Sequence, residues 1–174
     1  MSTLYVDNLQ PNLGSQVDIP NLKPLAGSVL QVVHGHWGKN QVVTSTTSGS
    51  FVPTGMSASI TPMSSSSKLL IGWSIQGNIY YAGSGAQGAQ FQMYRDGASL
   101  GAYGGNASSA AFVYAAFNQS HTDLYFKASD EKLITAVSTA PTTFEIYFAR
   151  YNNAAVKIQN HDGESHITIM EIAQ

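Results

Sequence analysis

The sequence contains no cysteine and few charged residues, and these absences limit its chemistry and its partners. Without cysteine there is no disulfide framework and no thiolate nucleophile. Charged residues make up 10% of the 174 residues, against roughly 25% in ordinary soluble proteins. The eight Lys and Arg residues are scattered singly and the net charge is −2. We therefore expect no nucleic-acid partner, because such a partner needs a basic surface.

Long apolar runs are also absent. No stretch approaches the roughly 20 apolar residues that cross a bilayer. The start, MSTLYVDN, has neither the basic residues nor the following apolar run of a secretory signal. We expect no membrane insertion and no export through that route.

Alternation with a period of two dominates from about residue 28 onward. In KLLIGWSI, Leu69, Ile71 and Trp73 fall on one face of a strand and belong to the core. TFEIYFARY and HITIMEIA alternate in the same way, and turn signals such as Asp96-Gly97 separate the runs. No segment offers ten residues of helical period with caps. The sequence predicts an all-β domain over residues 28–174, built as an antiparallel sandwich or barrel.

Residues 1–27 follow a different pattern and are predicted to form an extended N-terminal arm. Pro11, Pro20 and Pro24 exclude a helix or a central strand. The arm nevertheless carries too many apolar side chains for a solvated linker. We interpret it as an attachment arm that docks on another protein or on a neighbouring subunit, with these anchors: Leu4, Val6, Leu9, Leu13, Val17 and Ile19.

Two predicted strands are apolar on both faces. Residues 110–117 read AAFVYAAF, and TFEIYFARY places Tyr147 and Tyr151 opposite its core face. A strand covered on both sides is expected at a subunit interface, where tyrosine supplies apolar area and a hydroxyl group. The pattern favours a homo-oligomer.

Motifs for catalysis and cofactors are weak. Residues 83–88 match G-x-G-x-x-G, but a predicted strand follows, so we interpret them as a glycine-rich loop without a nucleotide. Asp130 and Glu131 are adjacent in what we interpret as a solvated turn, which gives no two-carboxylate cleft. We expect no enzyme activity and no cofactor.

His34 and His36 lie two residues apart, so their rings are expected on one face of a strand. Zinc needs three or four ligands, and no carboxylate lies nearby in the sequence. We expect no metal and interpret the pair as exposed polar rings. Whether copies of these residues meet across a symmetry axis stays open.

Several aromatic and charged residues fall in predicted loops or at strand ends, where binding residues often lie. They form a predicted receptor-binding set between residues 80 and 106. The alternative is that these residues simply end strands or pack at interfaces. The set is Tyr80, Tyr81, Tyr94, Arg95, Asp96 and Tyr103.

Three blocks resemble bacteriophage tail-fibre and related virion proteins. They are STLYVDNLQPNLGS (2–15), SFVPTGMSASITPMSSSSKLLI (50–71) and HITIMEIA (166–173), about a third of the chain. The resemblance implies that residues 28–174 form a jelly-roll-like β-sandwich that assembles as a homotrimer. It also implies a virion protein without catalysis, assembled in the host cytoplasm. It further implies that the arm binds other virion proteins, and it is compatible with a host-surface glycan as the receptor.

Three functions remain open at this point. The first is a short tail fibre or tail-tip module for host recognition. The second is a capsid-decorating, head-fibre or cement protein with a structural role. The third, a polysaccharide depolymerase, requires a carboxylate cleft that the sequence does not indicate.

Overall fold

The computed structural model describes residues 24–38, 43–45, 50–82, 85–101, 111–117, 120–152, 155–159 and 163–174. Within these ranges all regular structure is β-strand, and no helix is present. Every pairing between the described strands is antiparallel. The predicted all-β antiparallel class is therefore confirmed.

Eleven strands make up the described fold, and most are bounded by the turn signals seen in the sequence. Asp96 and Gly97 have φ of 51° and 78°, as a two-residue hairpin turn requires, and they join β5 to β6. The strands are β1 (Val29–Trp37), β2 (Val43–Ser45), β3 (Val52–Ile60), β4 (Lys68–Ala82), β5 (Gly85–Arg95), β6 (Ala98–Ser99), β7 (Ala111–Phe117), β8 (Ser120–Thr135), β9 (Thr142–Tyr151), β10 (Ala155–Ile158) and β11 (Ser165–Ile172).

The strands form two sheets. Sheet A runs β1-β11-β4-β8, and the short strands β10 and β2 continue it beside the second half of β4. Sheet B runs β3-β9-β5, with β7 and β6 sharing the other edge of β5. Eight main strands in two antiparallel sheets, with neighbours far apart in sequence, give a jelly-roll-like sandwich, as the resemblance implied, and not a closed barrel.

The core lies between the sheets and is built from the predicted inward faces. Sheet A contributes alternate residues of β4 and β11, and sheet B contributes those of β5 and β9. Trp73 is 2% exposed, which confirms its predicted place in the core. The largest fully buried side chains from the two sheets are Trp73, Phe91, Phe144, Phe148, Met56, Ile60, Leu69, Ile71, Ile75, Ile79, Met93 and Ile146.

Gly77 interrupts the apolar inner face of β4 for a steric reason. A Cβ atom at this position would lie 2.4 Å from the backbone oxygen of Lys157 and 2.8 Å from Cζ of Phe126. Only glycine leaves room there for the β10 backbone and the Phe126 ring at the same time.

The sandwich has two ends, which we call the near end and the far end. The candidate functional surfaces are located by their distance from these ends. The near end contains residues 24–28, the start of β4, the Asp96-Gly97 turn and the C-terminus. There Gly27 N donates to Ala173 O (2.8 Å), and Ala173 N donates to Ser28 O (2.9 Å). The far end contains the end of β4 and the start of β5 and β8. At about 3.3 Å per residue, the run of β4 from Lys68 to Tyr80 separates the ends by about 40 Å.

Two segments differ from their predicted local structure. The sequence predicts a loop for the glycine-rich motif at 83–88, but Gly85 already begins β5, and Gln87 and Gly88 are buried strand residues. The sequence predicts a solvated turn at Asp130 and Glu131, yet both residues lie inside β8. In each case pairing with another strand, β7 or β4, overrides the local preference of glycine or charged residues for turns.

Only a small part of the predicted arm is among the described residues. Residues 1–23, with the anchors Leu4, Val6, Leu9, Leu13, Val17 and Ile19, lie outside the described residues. Of the remainder, Leu25 is 81% exposed at the near end.

Candidate functional site

A patch of two exposed tyrosines lies at the far end, on the outer face of sheet A. Tyr80 of β4 is 37% exposed and Tyr125 of β8 is 56% exposed. The register places Tyr80 beside Asp123 and Asn78 beside Tyr125, so the two tyrosines are diagonal neighbours. We call Asn78, Tyr80, Asp123, Tyr125 and Lys157 the far-end patch.

Polar groups fix the floor of this patch. Asn78 Nδ2 donates to Asp123 Oδ1 at 2.7 Å, and Asn78 is itself buried. Lys157 of β10 lies opposite Asn78, on the side of β4 away from β8, and it is exposed. Aromatic area beside a carboxylate, an amide and an ammonium group is suited to a ligand that has apolar faces and many hydroxyl groups.

A second pair of tyrosines lies near the opposite end, on the outer face of sheet B. Tyr94 and Tyr147 stack with ring centroids 3.9 Å apart and planes at 24°. Burial raises the pKa of the Tyr147 hydroxyl, and the neighbouring Glu145 carboxylate raises it further. Because each ring covers a face of the other, this pair offers less free aromatic surface than the far-end patch.

Arg95 and Asp96 follow Tyr94 into the hairpin turn at the near end. Asp96 has a structural role there, because Thr143 N donates to its Oδ1 (2.8 Å) and Asp96 N donates to Thr143 O (2.9 Å). These bonds fasten the turn to the start of β9.

The predicted receptor-binding set is therefore divided between the two ends. Tyr80 is at the far end, whereas Tyr94, Arg95 and Asp96 are at the near end. The side chain of Tyr81 and the whole of Tyr103 lie outside the described residues. The structure does not join the described members into one site.

Three histidines meet in the middle of the outer face of sheet A. The ring of His34 lies 6.4 Å from that of His36 and 5.8 Å from that of His166, measured between centroids. His34 Nδ1 is 2.9 Å from Thr168 Oγ1. Burial lowers the pKa of His166, and the nearby charges of Lys127 and His34 lower it further.

A shallow depression of about 400 Å³ opens beside these histidines, above Gly72, which has no side chain to fill it. Its wall includes Ser74, Glu131, His166 and Thr168. Across the described ranges, no three His, Cys, Asp or Glu side chains are placed so that they could hold a metal ion. The histidines thus share a face, as expected, with His166 as an unforeseen third member.

Asp130 and Glu131 occupy opposite faces of β8. Asp130 lies opposite Trp73 in the register, and burial raises the pKa of its carboxyl group. Glu131 points to the outer face and is exposed. Side chains on two faces of one strand do not flank a common substrate, so the pair lacks the geometry of a hydrolytic acid and base.

Sequence reasoning missed Asn78, Asp123, Tyr125 and Lys157, which complete the far-end patch. Alternation in TDLYFKASDEKLIT does place Asp123, Tyr125 and Lys127 on one face. That signal was available in the sequence. The pairing of β8 with β4, which brings this face of β8 beside Tyr80, could not be predicted from the sequence.

No family model matches the chain, and no curated protein matches it. Among solved structures, dimeric latent PorU from Porphyromonas gingivalis is similar over 87% of this chain, at 9% identity and a TM-score of 0.36. A structure of the Gx strain of infectious bursal disease virus is similar over 98%, at 12% identity and a TM-score of 0.26. The chain spans 14% and 47% of those two chains. Such scores are too low to indicate a shared function.

The described ranges contain no helix that is long and apolar enough to cross a membrane.

Proposed function

We propose that the chain is a non-enzymatic bacteriophage virion protein, a short homotrimeric tail fibre or tail-tip module that recognises the host surface. The resemblance of residues 2–15, 50–71 and 166–173 to tail-fibre and related virion proteins supports the virion assignment. Asp130 and Glu131, on opposite faces of β8, support the absence of glycan-cleaving chemistry.

The separation of the two ends is the observation that carries the recognition role. The chain enters the sandwich at the near end, through residues 24–28, and the far-end patch lies about 40 Å away along β4. A fibre module attached to a virion through its N-terminal arm would present its far end to the host. In this proposal Tyr80 and Tyr125 contact a host-surface glycan, and the near-end residues Tyr94, Arg95 and Asp96 do not.

Binding measurements on single variants test this role. Tyr80→Ala and Tyr125→Ala are each expected to weaken binding to host cells about tenfold, since stacking on an aromatic ring contributes on the order of 1 kcal/mol or more. Thermal stability should change little, because substitutions at exposed positions usually shift stability by about 0.5 kcal/mol or less. Tyr94→Ala is the matched control at the near end.

Other outcomes of this measurement would contradict the assignment. If Tyr94→Ala weakens binding while Tyr80→Ala does not, the recognition surface lies at the near end. If binding and stability fall together in the far-end variants, these tyrosines serve packing.

Assembly as a trimer is supported by apolar side chains exposed at the near end. Leu25, Val29, Val32, Met63 and Val137 are 81%, 55%, 54%, 67% and 66% exposed. Such a group is expected to contact another copy or another virion protein. By contrast, Ala149 on the outer face of sheet B is already fully buried within one chain. Part of the outer face of β9 is therefore covered without contact to another copy.

The trimer is tested by the mass of the purified protein under native conditions. We expect three chains per particle at micromolar concentration, because a closed cyclic assembly buries equivalent surfaces from every copy. A stable monomer would contradict the trimer.

A capsid-decorating or cement protein is the second candidate, favoured by the edge of sheet A. Strand β8 is 16 residues long, and within the described residues it pairs only with β4. A long open edge suits lateral contacts between closely spaced copies on a shell. Labelling the protein in intact particles distinguishes a tail position from a capsid position.

A further inference from the structure

The outer edge of sheet A carries a long strand with a regular pattern of exposed side chains. Strand β8 pairs with β4 from Thr135 opposite Lys68 to Ser120 opposite Ala82. No described strand pairs with its other edge. Unpaired backbone groups along such an edge form a template for one more strand.

The outward side chains of β8 alternate in character along the strand. Tyr125 and Leu133 are 56% and 57% exposed. Between them lie a cation, a small polar residue and an anion, all exposed: Lys127, Ser129 and Glu131. This order is self-complementary when the strand is reversed about Ser129.

We propose that β8 pairs antiparallel with β8 of a second copy of this chain, across a twofold axis at Ser129. Residues equally far from Ser129 then face each other. Lys127 of each copy lies opposite Glu131 of the other, and Tyr125 lies opposite Leu133. The contact is isologous, so both favourable pairs occur twice.

Residues on the inner side of β8 are compatible with the same register. Asp130 faces Ala128 of the second copy, and Lys132 faces Phe126, so no like charges are opposed. A register centred on Lys127 would set Lys127 against itself and Asp123 against Glu131. A register centred on Glu131 would set two carboxylates against each other. Both place like charges together, which destabilises cross-strand pairs.

One competing register also pairs unlike charges. Centred on Tyr125, it sets Asp123 against Lys127 but leaves Leu133 outside the paired stretch. We favour the register centred on Ser129 because it pairs both exposed apolar side chains and covers most of the strand.

This contact goes beyond the proposed function and does not depend on it. A strand added at the edge extends sheet A sideways and leaves its outer face open, so Tyr80 and Tyr125 keep an accessible face. Pairing alone gives a dimer, and pairing of trimers gives a hexamer. Native mass therefore distinguishes it from the trimer itself.

A charge exchange tests the pairing. Lys127→Glu and Glu131→Lys each oppose like charges twice across the axis, and each should weaken this association about tenfold in sedimentation equilibrium at low salt. The double variant Lys127→Glu/Glu131→Lys restores unlike pairs and should recover the affinity. If the double variant associates no better than the single variants, the pairing is wrong.

Cross-linking tests the register. Opposed Cα atoms in an antiparallel pair are about 4.5–5.5 Å apart, which is within the range of a disulfide. The chain has no cysteine, so Ser129→Cys introduces the only thiol. We expect this variant to form a covalent dimer under mild oxidation. Two Tyr125→Cys positions would be about 27 Å apart, so that variant should not cross-link.

Two results would overturn the proposal. If Ser129→Cys gives no covalent dimer while its circular dichroism shows an intact β fold, β8 does not pair with itself. If Tyr125→Cys cross-links in preference to Ser129→Cys, the register centred on Ser129 is wrong.

Discussion

Replacing Phe91 with alanine is expected to remove about 3–5 kcal/mol from the free energy of unfolding. Phe91 is fully buried on β5 and lies between the two sheets. Its ring centroid is 5.4 Å from that of Trp73, 5.9 Å from that of Phe126 and 6.4 Å from that of Phe148. The alanine variant loses contacts with three aromatic rings at once and leaves a cavity that they cannot all close. Since domains are stable by only about 5–15 kcal/mol, this loss is a large fraction of the total.

Denaturant unfolding followed by tryptophan fluorescence measures this loss, with Trp73 as a reporter beside the cavity. Phe91→Leu keeps more of the volume and should cost less than Phe91→Ala. Thr139→Ala, at an exposed position in the bend before β9, is the matched control and should change stability by about 0.5 kcal/mol or less. A loss below about 1 kcal/mol for Phe91→Ala would mean that the two sheets do not pack through this aromatic cluster.

Much of this core could be predicted from the sequence, because alternation directly encodes which face of a strand is buried. Leu69, Ile71 and Trp73 alternate with smaller or polar residues, and they are indeed buried. The same pattern places Ile167 and Ile169 of β11 inward. A period of two needs no knowledge of the neighbouring strands.

The arrangement of strands could not be predicted in this way. Tyr80 and Tyr94 are close in sequence, which predicts that both belong to one receptor-binding tip. The chain, however, passes from sheet A to sheet B between β4 and β5 and reverses its direction, so the two tyrosines lie at opposite ends. The far-end patch depends on the pairing of β4 with β8, which joins residues about 45 positions apart. Local patterns carry no information on such pairs.

Glu171 is a buried residue whose hydrogen-bond partners likewise could not be predicted from local sequence patterns. Alternation in HITIMEIA places it on the inward face with Ile167 and Ile169, where a lone carboxylate is unfavourable. Its partners come from distant parts of the chain. Gln31 Nε2 donates to Glu171 Oε2 at 2.6 Å, and the backbone N atoms of Met63 and Ser64 donate to Oε1 at 2.9 and 3.3 Å. The carboxylate thereby fastens β1 and the segment between β3 and β4 to β11.

Glu171→Gln is accordingly expected to lower the free energy of unfolding by about 2–4 kcal/mol at neutral pH. The amide keeps the size of the side chain but replaces one acceptor oxygen with a donor, which then faces the N–H groups of Met63 and Ser64. Each donor left without an acceptor costs about 1–3 kcal/mol. Denaturant unfolding of the variant and of the unmodified chain measures the difference.

The free energy of unfolding that Glu171→Gln loses should also depend on pH in a defined direction. Burial raises the pKa of this carboxyl group, but the hydrogen bonds from Gln31, Met63 and Ser64 outweigh that effect, and the folded-state pKa lies below its ordinary value. A carboxyl group with a lowered pKa stabilises the fold fully above its unfolded-state pKa and loses that contribution as the pH falls through its folded-state pKa. The stability gap between the unmodified chain and Glu171→Gln should therefore be widest near neutral pH and shrink on acidification. Glu164→Gln, at an exposed position just before β11, is the matched control and should show little loss at neutral pH. A gap that stays constant from neutral to strongly acidic pH would mean that ionised Glu171 does not hold these segments together.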